Sequence, residues 1–196
     1  MDIDIAKIVN RARNILLTPK QEWQIIETEK IAHIQTLKSW LLPLTLIPVV
    51  AAVIGYGIIG YSIGGVHIAS LSLGLRYALL QLVAILGGAY ITAFIVNALA
   101  EKFSSQKNLD QAFALIAYSY TTACLGGIFH IIPSLAFIGS LIGLYSLYLI
   151  YIGLIPMMKT PSEKNTNYFV TVLLCFIGVF IVLSALLTAI LIRRMC

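Results

Sequence analysis

The chain has 196 residues and a mass of 21.5 kDa, with 60% hydrophobic residues, only 11% charged residues and a mean hydropathy of +0.95. Soluble proteins carry roughly 25% charged residues, and a soluble domain of this length needs far more polar surface to cover its core. This leaves an integral membrane protein and argues against a nucleic-acid binder or a disordered regulator. The net charge of +5 does not signal nucleic acid, because the basic residues mostly sit at the ends of apolar runs, where they report orientation.

The start, Met1-Asp2-Ile3-Asp4, is acidic and lacks the basic stretch and apolar core of a signal peptide, so the whole chain is expected to be mature protein. Residues 1–40 form one region and 41–196 a second, membrane region. In the first, Ile5, Ile8, Val9, Ala12, Ile15 and Leu16 recur at helical spacing opposite Lys7, Arg11 and Asn14. This predicts an amphipathic helix on an anionic membrane surface, with Lys7, Arg11 and Arg13 as its contacts. Thr18-Pro19-Lys20-Gln21 reads as a second helix start, with threonine as N-cap, proline at the first position and glutamine closing a capping box. Trp40 is expected at the membrane–water interface.

Five apolar runs follow, at Leu41–Ile63, Arg76–Ala100, Ala112–Ile132, Leu135–Met158 and Tyr168–Ile192, each near the roughly 20 residues that cross a bilayer. They predict an all-α bundle of five spans. Pro43 and Pro48 should kink the first. The connection Ser62–Gly74 is apolar enough to lie in the interface. Only Pro133-Ser134 separates the third and fourth runs, which predicts a tight hairpin, with a re-entrant pair as the alternative. Thr160-Pro161-Ser162-Glu163 repeats the earlier cap grammar and should start the last helix at Pro161.

With the N-terminus inside, the inner segments hold Lys7, Arg11, Arg13, Lys20, Lys30, Lys38, Lys102, Lys107, Lys159 and Lys164. The outer ones hold Arg76, Arg193 and Arg194. This asymmetry places the N-terminus inside and the C-terminus outside, with the terminal arginine pair dissenting.

No Asp, Glu or Lys lies within the predicted spans, so the titratable groups that mark proton and ion pathways are missing from them. Catalytic motifs such as HExxH or GxSxG are also missing, and His33, His67 and His130 sit in separate segments; no catalytic residue, metal or cofactor is expected. Cys124, Cys175 and Cys196 show no disulfide or metal spacing. The candidate intramembrane polar cluster comprises Gln81, Asn97, Tyr118, Ser119, Tyr120, Thr121 and His130. Interhelical hydrogen bonding is the preferred reading of these residues, and a polar lining for a cavity or lipid path the other. Gly139 and Gly143 have small-xxx-small spacing, read as packing within the bundle and not as a dimer face.

Four phrases carry a family resemblance: Asn14-Ile15-Leu16-Leu17-Thr18-Pro19-Lys20 with Glu22-Trp23, Ala117-Tyr118-Ser119-Tyr120-Thr121, Gly143-Leu144-Tyr145-Ser146-Leu147-Tyr148, and Met158-Lys159-Thr160-Pro161 with Glu163-Lys164. In this order the chain resembles the Yip (Ypt/Rab-interacting protein) domain family, in its compact prokaryotic form. The resemblance implies a polytopic membrane protein without enzymatic activity that associates with related membrane proteins. Eukaryotic relatives bind prenylated Rab-type GTPases. This chain lacks a long N-terminal region with an Asp-Leu-x-Gly-Pro motif, so GTPase binding is not carried over.

The functional expectation is a membrane-organising adaptor or scaffold in a bacterial cytoplasmic (inner) membrane. Membrane lipids and homo- or hetero-oligomeric membrane proteins are its expected partners. The alternative is an uncoupled transporter, channel subunit or lipid translocator.

Overall fold

The computed structural model describes residues 5–195, with side chains described for residues 5–179 and Ile181. The acidic start, the Arg193-Arg194 side chains and Cys196 lie outside the described residues. Two short helices come first, α1 (Ile5–Leu17) and α2 (Pro19–Glu29). Four helices long and apolar enough to cross a membrane follow: α3 (His33–Ile59), α4 (Leu71–Phe103), α5 (Leu109–Ile131) and α6 (Pro133–Met158). The last helix, α7, runs Ser162–Met195 and packs on α4 and α6. All five helices begin before their predicted apolar runs, but α3 stops at Ile59, short of the expected Ile63, because Tyr61–Ile63 is taken into a strand.

The center of the bundle is α5. It buries 72% of its most apolar window, against 33% for α3 and 22% for both α4 and α6, so α3, α4 and α6 surround it. That explains its mixed composition: a helix facing protein on all sides can carry hydroxyls that a lipid-facing helix cannot. The predicted tight hairpin between α5 and α6 is present. Gly126 and Gly139 bring the two backbones together so closely that a Cβ on Gly139 would lie 2.3 Å from the Gly126 carbonyl oxygen. Gly143 faces Ala123 of the same pair, so the small-residue spacing serves packing inside the chain.

Local departures have identifiable causes. Between α3 and α4 the connection is a β-hairpin, β1 (Tyr61–Ile63) with β2 (Val66–Ile68), turned at Gly64-Gly65. Both glycines have positive φ, +58° and +82°, as a two-residue hairpin turn requires. In α3 a π-helical stretch at Leu37–Leu41 precedes Pro43, and Pro48 sits inside the helix against Gly127. Neither predicted threonine cap forms. Thr18 donates its hydroxyl back to the Asn14 carbonyl (3.2 Å), and Thr160 to that of Leu154 (3.0 Å). Thr18 bonds one turn back, the alternative open to a threonine that does not cap, whereas Thr160 reaches six residues back across the end of α6.

The segments assigned to the inside gather at one end of the bundle. Lys159 pairs with Glu27 at 2.6 Å, Lys164 donates to the Ser104 hydroxyl at 2.7 Å, and the Gln106 amide donates to the Met158 carbonyl at 2.7 Å. Asp110 accepts from both the backbone amide and the ring Nδ1 of His33.

Candidate functional site

The densest polar constellation lies where α1 and α2 pack across the bundle. Arg11 of α1 is turned inward, a correction to its expected place on the membrane surface. Its guanidinium makes a two-pronged pair with Glu29 of α2, through Nη1–Oε2 at 2.6 Å and Nη2–Oε1. Its Nε lies 3.2 Å from Glu22 Oε1. The reason is charge: Glu22 is buried in the docked α2, and a buried carboxylate requires a cation. An arginine fork can serve two carboxylates at once. Lys7 adds attraction toward Glu29 and so also acts toward α2. The hydrogen bond from Arg11, with its charge, holds the Glu29 carboxyl below the ordinary range, and the same bond raises Arg11 further above its usual value.

Tyr118 of α5 closes the network from below. Its hydroxyl accepts from Arg11 Nη1 at 3.2 Å, and its ring lies 5.6 Å beneath the guanidinium, within cation–π range. On its other side stands Trp40, ring centroids 4.7 Å apart. Trp40 donates Nε1–H to the Thr121 hydroxyl (3.2 Å), which donates in turn to the Tyr118 carbonyl (2.6 Å). Only 3% of Trp40 is exposed, so it acts as an internal clamp within the bundle. Its indole N–H found a hydroxyl partner in the protein, which removes the need for water.

The remaining polar residues separate into distinct places. Tyr118 is packed shut, whereas Tyr120 lines an apolar cavity of about 210 Å³ with Thr92 and Ser146, between α4, α5, α6 and α7. Ser119 is fully buried, its hydroxyl without a partner among the described residues. Asn97 stands apart near Tyr168, with its buried Oδ1 likewise unpaired. Gln81 and His130 meet each other at 3.0 Å. Arg13 is exposed and forms no ion pair among the described residues.

Glu22, Glu29 and Trp40 were not read as site residues from the sequence. The pairable signal was the acid-rich α2 following a basic α1, which periodicity within each helix cannot connect. The arrangement is suited to fastening the N-terminal helices to the bundle. Among the described residues no three His, Cys, Asp or Glu side chains gather as a metal site would require.

Two of the sequence phrases meet directly, and residues beside the others pack close by. Tyr145 donates to the Leu16 carbonyl at 3.2 Å, Arg11 grips Tyr118, and Trp23 packs against Gly153 beside Leu115. The family model described as the Yip1 domain matches residues 13–186, most of the chain. No curated protein and no solved structure matches it.

Proposed function

This chain belongs to the Yip1 domain family, and from that premise we propose that it is a non-enzymatic organizer of the membrane, an adaptor whose fastened N-terminal helices present a fixed inner face to lipids and other membrane proteins. The single observation that supports this best is the inward use of polar groups in the spans. Trp40 bonds Thr121, Thr122 bonds Ser146, and Gln81 bonds His130 across helices, while Thr92 is satisfied within its own helix by the Gly88 carbonyl. Groups committed to one another hold helices together and leave no continuous row of donors and acceptors for a moving solute.

In this reading α7 is a fifth span. It starts at the inner end and its 34 residues reach about 50 Å at 1.5 Å per residue, so the chain leaves on the side opposite its start. The N-terminus lies on the cytoplasmic side of a bacterial inner membrane. Association with copies of itself or with other membrane proteins uses the surfaces at that face.

Reconstitution tests the function. Liposomes containing the purified full chain and a fluorescent phospholipid should show no proton- or sodium-driven uptake and no transbilayer lipid movement above protein-free vesicles. Lipid movement that slows when Tyr120→Phe is introduced beside the apolar cavity would replace the adaptor with a translocator.

A further inference from the structure

A long groove runs between α1 and α3. It encloses about 740 Å³ and is lined by apolar side chains, among them Ile8, Val9 and Leu16 of α1, Leu46 and Ile47 of α3, and Leu125 of α5. Among the described residues, Arg13 is the one charged residue on its wall. The opposite side of α1 is bordered by Lys7, Asn10, Arg11, Asn14 and Glu22. One helix therefore separates a polar side from an apolar channel, the arrangement of a helix lying in the plane of a membrane interface. The channel lies past Trp40 toward the middle of α3 and is open, with Val9 59% and Leu46 51% exposed.

Resting on the membrane placement above, we propose that this groove is a binding site for one phospholipid of anionic headgroup, its acyl chain lying along Val9, Leu46 and Ile47 and its phosphate on Arg13. Three features carry it. The first is that the walls are fixed before any ligand arrives. Arg11 ties α1 to Glu22 and Glu29, and the Tyr145 hydroxyl holds the Leu16 carbonyl, so little ordering remains to oppose binding.

The second is charge. The other arginine of α1 is engaged, Arg11 with two glutamates, and it borders the opposite side of the helix. Arg13 stands at the groove without an ion pair among the described residues, and a guanidinium fork matches a phosphate. The third is shape. The volume falls within the about 300–1,000 Å³ of small-molecule sites, and an apolar groove with one cation among its described residues suits a flexible chain carrying one anion. A helix about 10 Å wide would bring polar backbone and many side chains to a wall that offers a single polar contact.

Native mass spectrometry of the full chain in detergent, titrated with dioleoyl phosphatidylglycerol or dioleoyl phosphatidylcholine, tests the site. One phosphatidylglycerol should be retained with about five-fold preference, the size expected for one interfacial basic residue. Arg13→Gln should abolish the preference and leave phosphatidylcholine retention as it was. Val9→Trp with Leu46→Trp should fill the channel and remove retention of both lipids. Leu80→Trp, on the exposed face of α4, should change neither. Melting temperatures establish that the variants are folded, and Val9→Trp alone serves if the pair is not. An unchanged lipid ratio in Arg13→Gln, or unchanged retention in a folded filled variant, overturns the proposal. Retention is measured without transbilayer movement, so its loss leaves the adaptor reading standing, and lipid flux in liposomes overturns that reading without touching the site.

Discussion

Gln81 and His130 lie 49 positions apart in the chain and meet side chain to side chain at 3.0 Å, joining α4 to the end of α5. The imidazole Nδ1 lies 2.9 Å from the Gly127 carbonyl, to which it can only donate. The ring is thereby assigned as the Nδ1–H tautomer, with Nε2 accepting from the Gln81 amide. Two polar residues that look unrelated in the sequence satisfy one another inside an apolar layer.

Gln81→Leu should leave Nε2 of His130 without its donor. Hydrogen bonds between membrane helices average about 0.6 kcal/mol, and a stranded polar atom costs about 1–3 kcal/mol. The expected loss is about 1 kcal/mol by denaturant titration in detergent. Adding His130→Leu should recover part of it. Two independent, additive losses would show that the contact carries no coupling.

Arg11→Ala should be among the most damaging single changes at the end of the bundle where α1 and α2 dock, because it strands Glu22 in a buried position. Removing one partner of a buried pair costs about 3–5 kcal/mol. Arg11→Lys restores the charge but cannot serve both carboxylates, so it should recover only part of the lost melting temperature. Equal melting temperatures for the lysine variant and the wild type would refute the two-carboxylate fork.

Acid should loosen α1. The folded-state pKa of Glu29 lies below its unfolded value, so its contribution is fully present above the ordinary carboxylate range. It is lost as the pH falls through that range and on through the depressed folded value. A fluorophore on Val9→Cys should shift its emission over this interval. In Glu29→Gln the part of the shift due to this carboxylate should vanish; an identical profile would assign the transition elsewhere.

Gly139→Ala should disrupt the α5–α6 hairpin, since its new Cβ would meet backbone at Gly126 and not a movable side chain. Overpacking costs about 1–3 kcal/mol. Gly87→Ala in α4, where nothing lies within 4 Å, should cost far less and serves as the control. Melting of the two variants side by side decides whether contact or glycine loss is responsible.

The four spans from α3 to α6 were legible because apolar length is a property of the sequence itself. So was the polar character of α5, whose Tyr118, Ser119, Tyr120 and Thr121 are consecutive. The direction of Arg11 was not legible: an arginine on an amphipathic helix looks the same whether it faces phosphate or a glutamate folded over from the next helix. The partner of Trp40 was hidden for a similar reason, since Thr121 lies 81 positions away. The β-hairpin left a readable trace in Gly64-Gly65 between alternating Tyr61-Ser62-Ile63 and Val66-His67-Ile68, hidden by the apolar runs around it.

The clasp between the chain's first helices and the bundle also sets an order of events during synthesis. Tyr118 follows Arg11 by 107 residues, Tyr145 follows Leu16 by 129, and Lys159 follows Glu27 by 132. At about 5–20 residues per second, the N-terminal helices wait on the order of ten seconds for the groups that will hold them. Through that interval the apolar side of α1 has no protein to cover it, and the membrane surface beside the translocation machinery is its natural resting place. Helices made before the bundle are thus among the last to reach their final position.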